Sequence, residues 1–108
     1  MSKLEQVNEV IKQELALAVN REIALPEALI TISYVECSAD YKYARVGFSV
    51  LPDRLAGTAI KKLKASSGLL AAILKKRTKL RRVPHFNWSF DATEKEAAVL
   101  EDFIGQIS

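Results

Sequence analysis

The chain has 108 residues, enough for one domain built around a single hydrophobic core. Apolar residues make up 49% and charged residues 27%, a balance that excludes a disordered chain. No apolar run approaches the roughly 20 residues that a membrane helix needs, and the charged N-terminal stretch Met1 to Glu5 lacks the apolar core of a signal peptide. The lone Cys37 cannot form an internal disulfide and reads as a buried small hydrophobe. A cytoplasmic protein is the simplest expectation.

Ser2-Lys3-Leu4-Glu5 fits a capping box, with Ser at the N-cap and Glu three residues on. Leu4, Val7, Ile11, Leu15 and Ala18 then recur every three or four residues, which predicts an amphipathic helix to about Asn20. Pro26 blocks its continuation. The run from Leu29 to Ser38 is rich in β-branched and aromatic residues and predicts a strand. Ser38-Ala39-Asp40 supplies turn chemistry. From Tyr43 to Leu51, Ala44, Val46, Phe48 and Val50 alternate with Tyr43, Arg45, Gly47 and Ser49, so the two runs predict an antiparallel hairpin with one buried face.

A second helix is expected after Pro52, with Asp53 as its N-cap and Leu55, Ala59, Ile60 and Leu63 as its apolar stripe. Ala65-Ser66-Ser67-Gly68 interrupts the pattern, and Leu69, Leu70, Ile73 and Leu74 resume it, which predicts a kink or break rather than one straight rod. Lys75-Lys76-Arg77 suits a helix C-terminus. Beyond Pro84, Phe86, Trp88 and Phe90 alternate with polar residues as a third strand. Thr93 to Glu96 forms another capping box, before a helix striped by Ala97, Leu100, Phe103, Ile104 and Ile107. The expected architecture is a single α+β domain over residues 1–108, in the order α-β-β-α-(kink)-α-β-α, with helices on one face of a three-stranded sheet.

Charge is segregated along the chain. No acidic residue lies between Asp53 and Asp91, yet that interval holds ten of the sixteen basic ones: Arg54, Lys61, Lys62, Lys64, Lys75, Lys76, Arg77, Lys79, Arg81 and Arg82. The remainder carries six basic residues against all thirteen acids. A mixed solvated surface would intersperse the signs, so this distribution points to a polyanion-binding face.

Catalytic constellations are scarce. His85 has no Cys or His partner at metal-ligand spacing, and there is no P-loop, dinucleotide fingerprint or nucleophile elbow, so neither an enzyme nor a bound cofactor or metal is expected. Binding chemistry is better supported. The Ser66-Ser67-Gly68 break would offer backbone N–H groups and a helix dipole to a phosphate, while Gly68 would let a backbone approach closely. The plain alternative is a helix corner in which Gly68 permits tight packing. Phe86, Trp88 and Phe90 could stack bases, but their alternation on one sheet face more often means core. Tyr34, Tyr41 and Tyr43 read as packing or rim residues.

The run from Val35 to Leu51, with its Ser38-Ala39-Asp40 turn, Ala44-Arg45-Val46 and closing Ser49, resembles the strand-turn-strand of the ribosome-binding factor A family. Lys64 to Leu70 resembles that family's interrupted helix, where an Ala-x-Gly kink replaces the GxxG loop of other KH domains. Lys79 to Pro84, followed by Phe90-Asp91, resembles its basic-Pro segment and strand end. The likeness extends over essentially the whole chain. Two positions depart from the pattern: Ser66 stands where the kink Ala is usual, and Gly47 where an aromatic or β-branched residue is common. The chain also ends at Ser108 without the basic tail of some members, so RNA contacts are expected from the folded domain.

The resemblance implies a type II KH-like fold and a non-catalytic role in late maturation of the 30S subunit. It implies binding of 16S-type ribosomal RNA, a contribution to rRNA 5′-end processing, a link to growth in the cold, and release before translation. Its partners would be the small subunit and its rRNA, with assembly GTPases as further candidates, no membrane, and a monomer off the ribosome. The RNA-binding residues expected are Lys61, Lys62, Lys64, Ser66, Ser67, Gly68, Lys75, Lys76, Arg77, Lys79, Arg81 and Arg82. Two rival readings are a module that docks an acidic partner protein and a general KH-type RNA chaperone.

Overall fold

The structure, a computed structural model, describes residues 2–91. Helix α1 (Lys3–Glu22) opens as its capping box predicts, with the Ser2 hydroxyl accepting from the Glu5 amide at 3.1 Å. Strands β1 (Leu29–Cys37) and β2 (Tyr43–Leu51) form the antiparallel hairpin. A single 3₁₀ turn (Asp53–Leu55) leads into α2 (Ala56–Ala65), and Ser66 alone separates α2 from α3 (Ser67–Arg77). Strand β3 (His85–Phe90) follows Pro84 and pairs with β2 in parallel. The sheet order is β1-β2-β3, a mixed three-stranded sheet. The helix expected beyond Thr93 lies outside the described residues.

The sheet's inner face carries Ile30, Ile32, Val35, Cys37, Ala44, Val46, Phe48, Val50, Phe86 and Trp88, all buried. Helix α1 packs on β1 and beside α3, while α2 lies against β3. The α1 stripe meets this face with Ile11, Leu15, Ala18 and Val19, and α2 and α3 meet it with Ala59, Leu63, Leu70 and Leu74. The aromatic alternation in β3 is therefore mainly core. Phe48 sits in edge contact with Trp88 and Phe90, at centroid distances of 6.4 and 5.9 Å, and only Phe90 at the strand end is partly exposed.

Two local features depart from simple alternation. In β1 the inward residues are Ile30 and Ile32, then Val35 and Cys37, a shift of parity. A bulge at Ser33, where the register slips between Ile32 and Tyr34, absorbs the extra residue and keeps both halves facing the core. The slip also sets Tyr34 opposite Gly47 on the outer face, with its ring lying over the glycine, where a Cβ would fall inside the ring. That contact accounts for glycine in a strand position that would otherwise favour a β-branched residue.

The β1–β2 turn is held by side chains. The Ser38 hydroxyl donates to the Asp40 carboxylate at 2.6 Å and accepts from the Tyr43 amide at 3.1 Å, while Asp40 also accepts from the Lys42 amide at 3.0 Å. The Ser38 hydrogen bond, then the Lys42 amide, hold the Asp40 carboxyl below its ordinary pKa. Tyr41 takes the left-handed conformation this turn requires, with φ of 61°. Burial pushes the Cys37 thiol up, as suits a core residue rather than a nucleophile.

Three sequence expectations need correction here. Asp53 does not cap α2; it begins the 3₁₀ turn, closed by Leu55 N–H to Pro52 C=O at 3.2 Å, and α2 starts three residues later. Ser38 belongs to the turn rather than to β1. Leu69 is not on the apolar stripe: α3 starts afresh after Ser66, its rotation turns Leu70 and Leu74 inward, and Leu69 is left 51% exposed.

Candidate nucleic-acid interface

The α2–α3 corner is built on one residue. Ser66 leaves helical geometry (φ −96°, ψ 1°), its N–H is shared between Lys62 C=O and Leu63 C=O, and its own C=O accepts from Leu70 N–H at 2.9 Å. That is the first bond of α3, so the amides of Ser67, Gly68 and Leu69 precede it, and no side chain caps them. They mark the positive end of the helix dipole.

The residues of this corner divide in role. Ser67 donates its hydroxyl proton to Leu63 C=O at 3.0 Å and accepts the Trp88 indole N–H at 2.8 Å. Its proton is thus committed within the fold, and its side chain ties α2, α3 and β3 together. Gly68 behaves differently. It is exposed, its φ is negative, and a Cβ built on it would meet nothing within 4 Å. The corner therefore does not use Gly68 for close packing.

The basic residues also separate into two groups. Lys75 reaches the backbone carbonyls of Leu80 (3.3 Å) and Arg81, bracing the loop after α3. Arg77 forms an ion pair with Glu14 of α1, Nε to Oε2 at 2.7 Å. Lys61, Lys62, Lys64, Lys76, Lys79, Arg81 and Arg82 are exposed and make no ion pair among the described residues. Lys61, Lys62 and Lys64 end α2 just before the corner; the others lie at the far end of α3, whose 11 residues span about 16 Å.

A depression of about 400 Å³ runs from Lys64 and Ser67 along β3 past His85 and Asn87. Lys42, from the β1–β2 turn, lies beside Arg82 in a neighbouring depression. Sequence reasoning missed Lys42, because an isolated lysine in an otherwise acidic half carries no local signal. Among the described residues there is no group of three or more His, Cys, Asp or Glu side chains able to hold a metal, and no helix long and apolar enough to cross a membrane.

The family model for ribosome-binding factor A matches residues 3–104. The chain belongs to the ribosome-binding factor A family. The ribosome-binding factor A of Thioalkalivibrio sulfidiphilus is 34% identical over 106 residues, covering 95% of this chain and 81% of that protein. In structure, the fold matches the crystal structure of ribosome-binding factor A from Thermus thermophilus with a TM-score of 0.72 at 22% identity, covering 81% of this chain and 93% of that one. It also matches, with a TM-score of 0.70 and 23% identity over 86% of this chain and 97% of the other, a Thermus thermophilus ribosome-binding factor A model fitted into a cryo-EM map of a 30S complex. The family's fold is thus the KH-like one described above, with its interrupted helix at Ser66.

Proposed function

We propose that this chain is a non-catalytic assembly factor, which holds ribosomal RNA of the small subunit by its backbone during late maturation. The observation that carries this reading is the helix break at Ser66, which leaves the first amides of α3 without a cap. Gly68 and Leu69 are exposed residues of that first turn, with the exposed Lys61, Lys62 and Lys64 just before it and the exposed Lys76, Lys79, Arg81 and Arg82 at and beyond the far end of α3. Backbone donors and a helix dipole favour a phosphate, and the flanking cations favour the next ones along the strand. The 30S complex of the Thermus thermophilus relative supports the small subunit as the partner. Membership of the family extends the reading to the cytoplasm, to processing of the rRNA 5′ end, to growth in the cold, to release before translation, to assembly GTPases as further partners, and to a monomer off the ribosome.

The test is co-sedimentation with small subunits, paired with sequencing of the RNA that a tagged chain retains. Reversal of Lys61, Lys62 and Lys64 to Glu should abolish co-sedimentation while leaving the melting transition intact, since none of the three makes an ion pair among the described residues. Each phosphate contact contributes about −0.7 to −0.9 to the slope of log K against log salt, so losing three should flatten it by about 2. Retention of an acidic protein in place of ribosomal RNA, or of scattered RNAs without small subunits, would refute the proposal.

A further inference from the structure

We infer that the depression at the start of β3 is a pocket for an unpaired RNA base, walled by Tyr43 and His85 with Lys42 and Arg82 placed for its flanking phosphates. The inference rests on the RNA-binding reading above and adds to it a base contact that the cation clusters do not supply.

Tyr43 and His85 are directly opposite in the β2–β3 register, and their rings meet edge to face, 6.1 Å apart at 81°. Both are exposed, Tyr43 at 53%, although an aromatic ring of that size is usually turned inward when packing is its task. Here the inward positions of the same strands are taken by Ala44 and Phe86, so the fold gains little from the Tyr43 ring. The depression beside it measures about 390 Å³ and has an apolar floor that includes Ala71 and Pro84. Lys42 and Arg82 stand on its rim, exposed and without an ion pair among the described residues. Asp40, in the adjoining turn, accepts from the Ser38 hydroxyl and the Lys42 amide and attracts the Lys42 ammonium without forming an ion pair with it. An aromatic wall, an apolar floor and two exposed cations, neither in an ion pair among the described residues, match a nucleobase with a phosphate on either side.

Position on the groove supports the same occupant. Ser67 lines the first depression and Ala71 this one, and His85 borders both. The two lie one turn apart on α3, about 6 Å along its axis. A strand whose phosphate sits on the α3 amides would therefore pass Lys64 and reach the Tyr43 pocket within a few nucleotides. Duplex RNA could not enter this way, because its bases are already stacked and paired.

The test compares binding of a short unstructured RNA, the same-length abasic ribose-phosphate strand, a duplex RNA and poly-glutamate by fluorescence anisotropy. Wild type should prefer the base-bearing single strand. Tyr43→Ala should weaken it about tenfold without changing the salt slope, and Tyr43→Phe should restore it. Affinity for the abasic strand should not change. A Tyr43→Ala variant that binds the single strand as wild type does, or loses affinity equally for abasic strand, duplex or poly-glutamate, overturns the pocket. Wild type that co-sediments with small subunits but shows no base preference overturns the pocket alone; loss of small-subunit binding in wild type overturns the RNA reading with it.

Discussion

Ser67 and Gly68 are neighbours in one turn, and the structure assigns them opposite tasks, so single substitutions should separate stability from binding. Ser67→Ala removes the acceptor of the Trp88 indole N–H, a donor on a side chain that is only 8% exposed. Leaving a buried donor unpaired costs roughly 1–3 kcal/mol, offset by about half a kcal/mol from the better helix propensity of Ala. The net loss expected is about 1–2 kcal/mol, a large share of the stability of a domain this size. Gly68→Ala should do the reverse. Its φ is not left-handed and the added methyl meets open space, so stability should rise by up to about 1 kcal/mol, while the methyl intrudes where a phosphate would approach the amides. Denaturant melts followed by fluorescence are well suited, because Trp88 is the single tryptophan and reports on the bond itself. Midpoints should shift in opposite directions at constant m, and small-subunit affinity per folded molecule should fall only for Gly68→Ala. A Gly68→Ala variant with unchanged affinity would refute the phosphate role of the corner. A Ser67→Ala variant as stable as wild type would refute the structural role of the hydroxyl.

Phe48 is fully buried between Trp88 and Phe90, so Phe48→Ala should cost roughly 3–5 kcal/mol in the same melts, whereas Arg45→Ala on the outer face should cost far less. Gly47→Ala should destabilise by displacing the Tyr34 ring, and a double-mutant cycle with Tyr34→Ala should show coupling of about 0.5 kcal/mol or more; additive costs would mean that the ring does not rest on the glycine. Reversing Lys75 and Arg77 should loosen the loop after α3 and the α1–α3 contact, seen as faster amide exchange there, so charge reversal at these two positions tests structure and binding together.

Much of the fold is legible in the chain because it is written in local periods. The α1 stripe, its capping box, the alternation in β2 and β3, and the break at Ser66 each depend on residues within a few positions, where helix and strand geometry dictate which side chains share a face. The cation-rich interval and the family likeness were equally visible, because both are properties of order along the chain. Which of those residues are available to a partner was not. The Ser67 hydroxyl is taken by Trp88, 21 residues away, and Arg77 by Glu14, 63 residues away. Gly47 stands where an aromatic or β-branched residue is common, and only the Ser33 bulge, which brings the Tyr34 ring onto it, supplies the reason. Lys42 joins Arg82 only because β2 and β3 run parallel, which sets the starts of both strands side by side. Pattern along the chain determines which face a side chain takes. The partners it meets there depend on how elements far apart in sequence are stacked, and no local period encodes that.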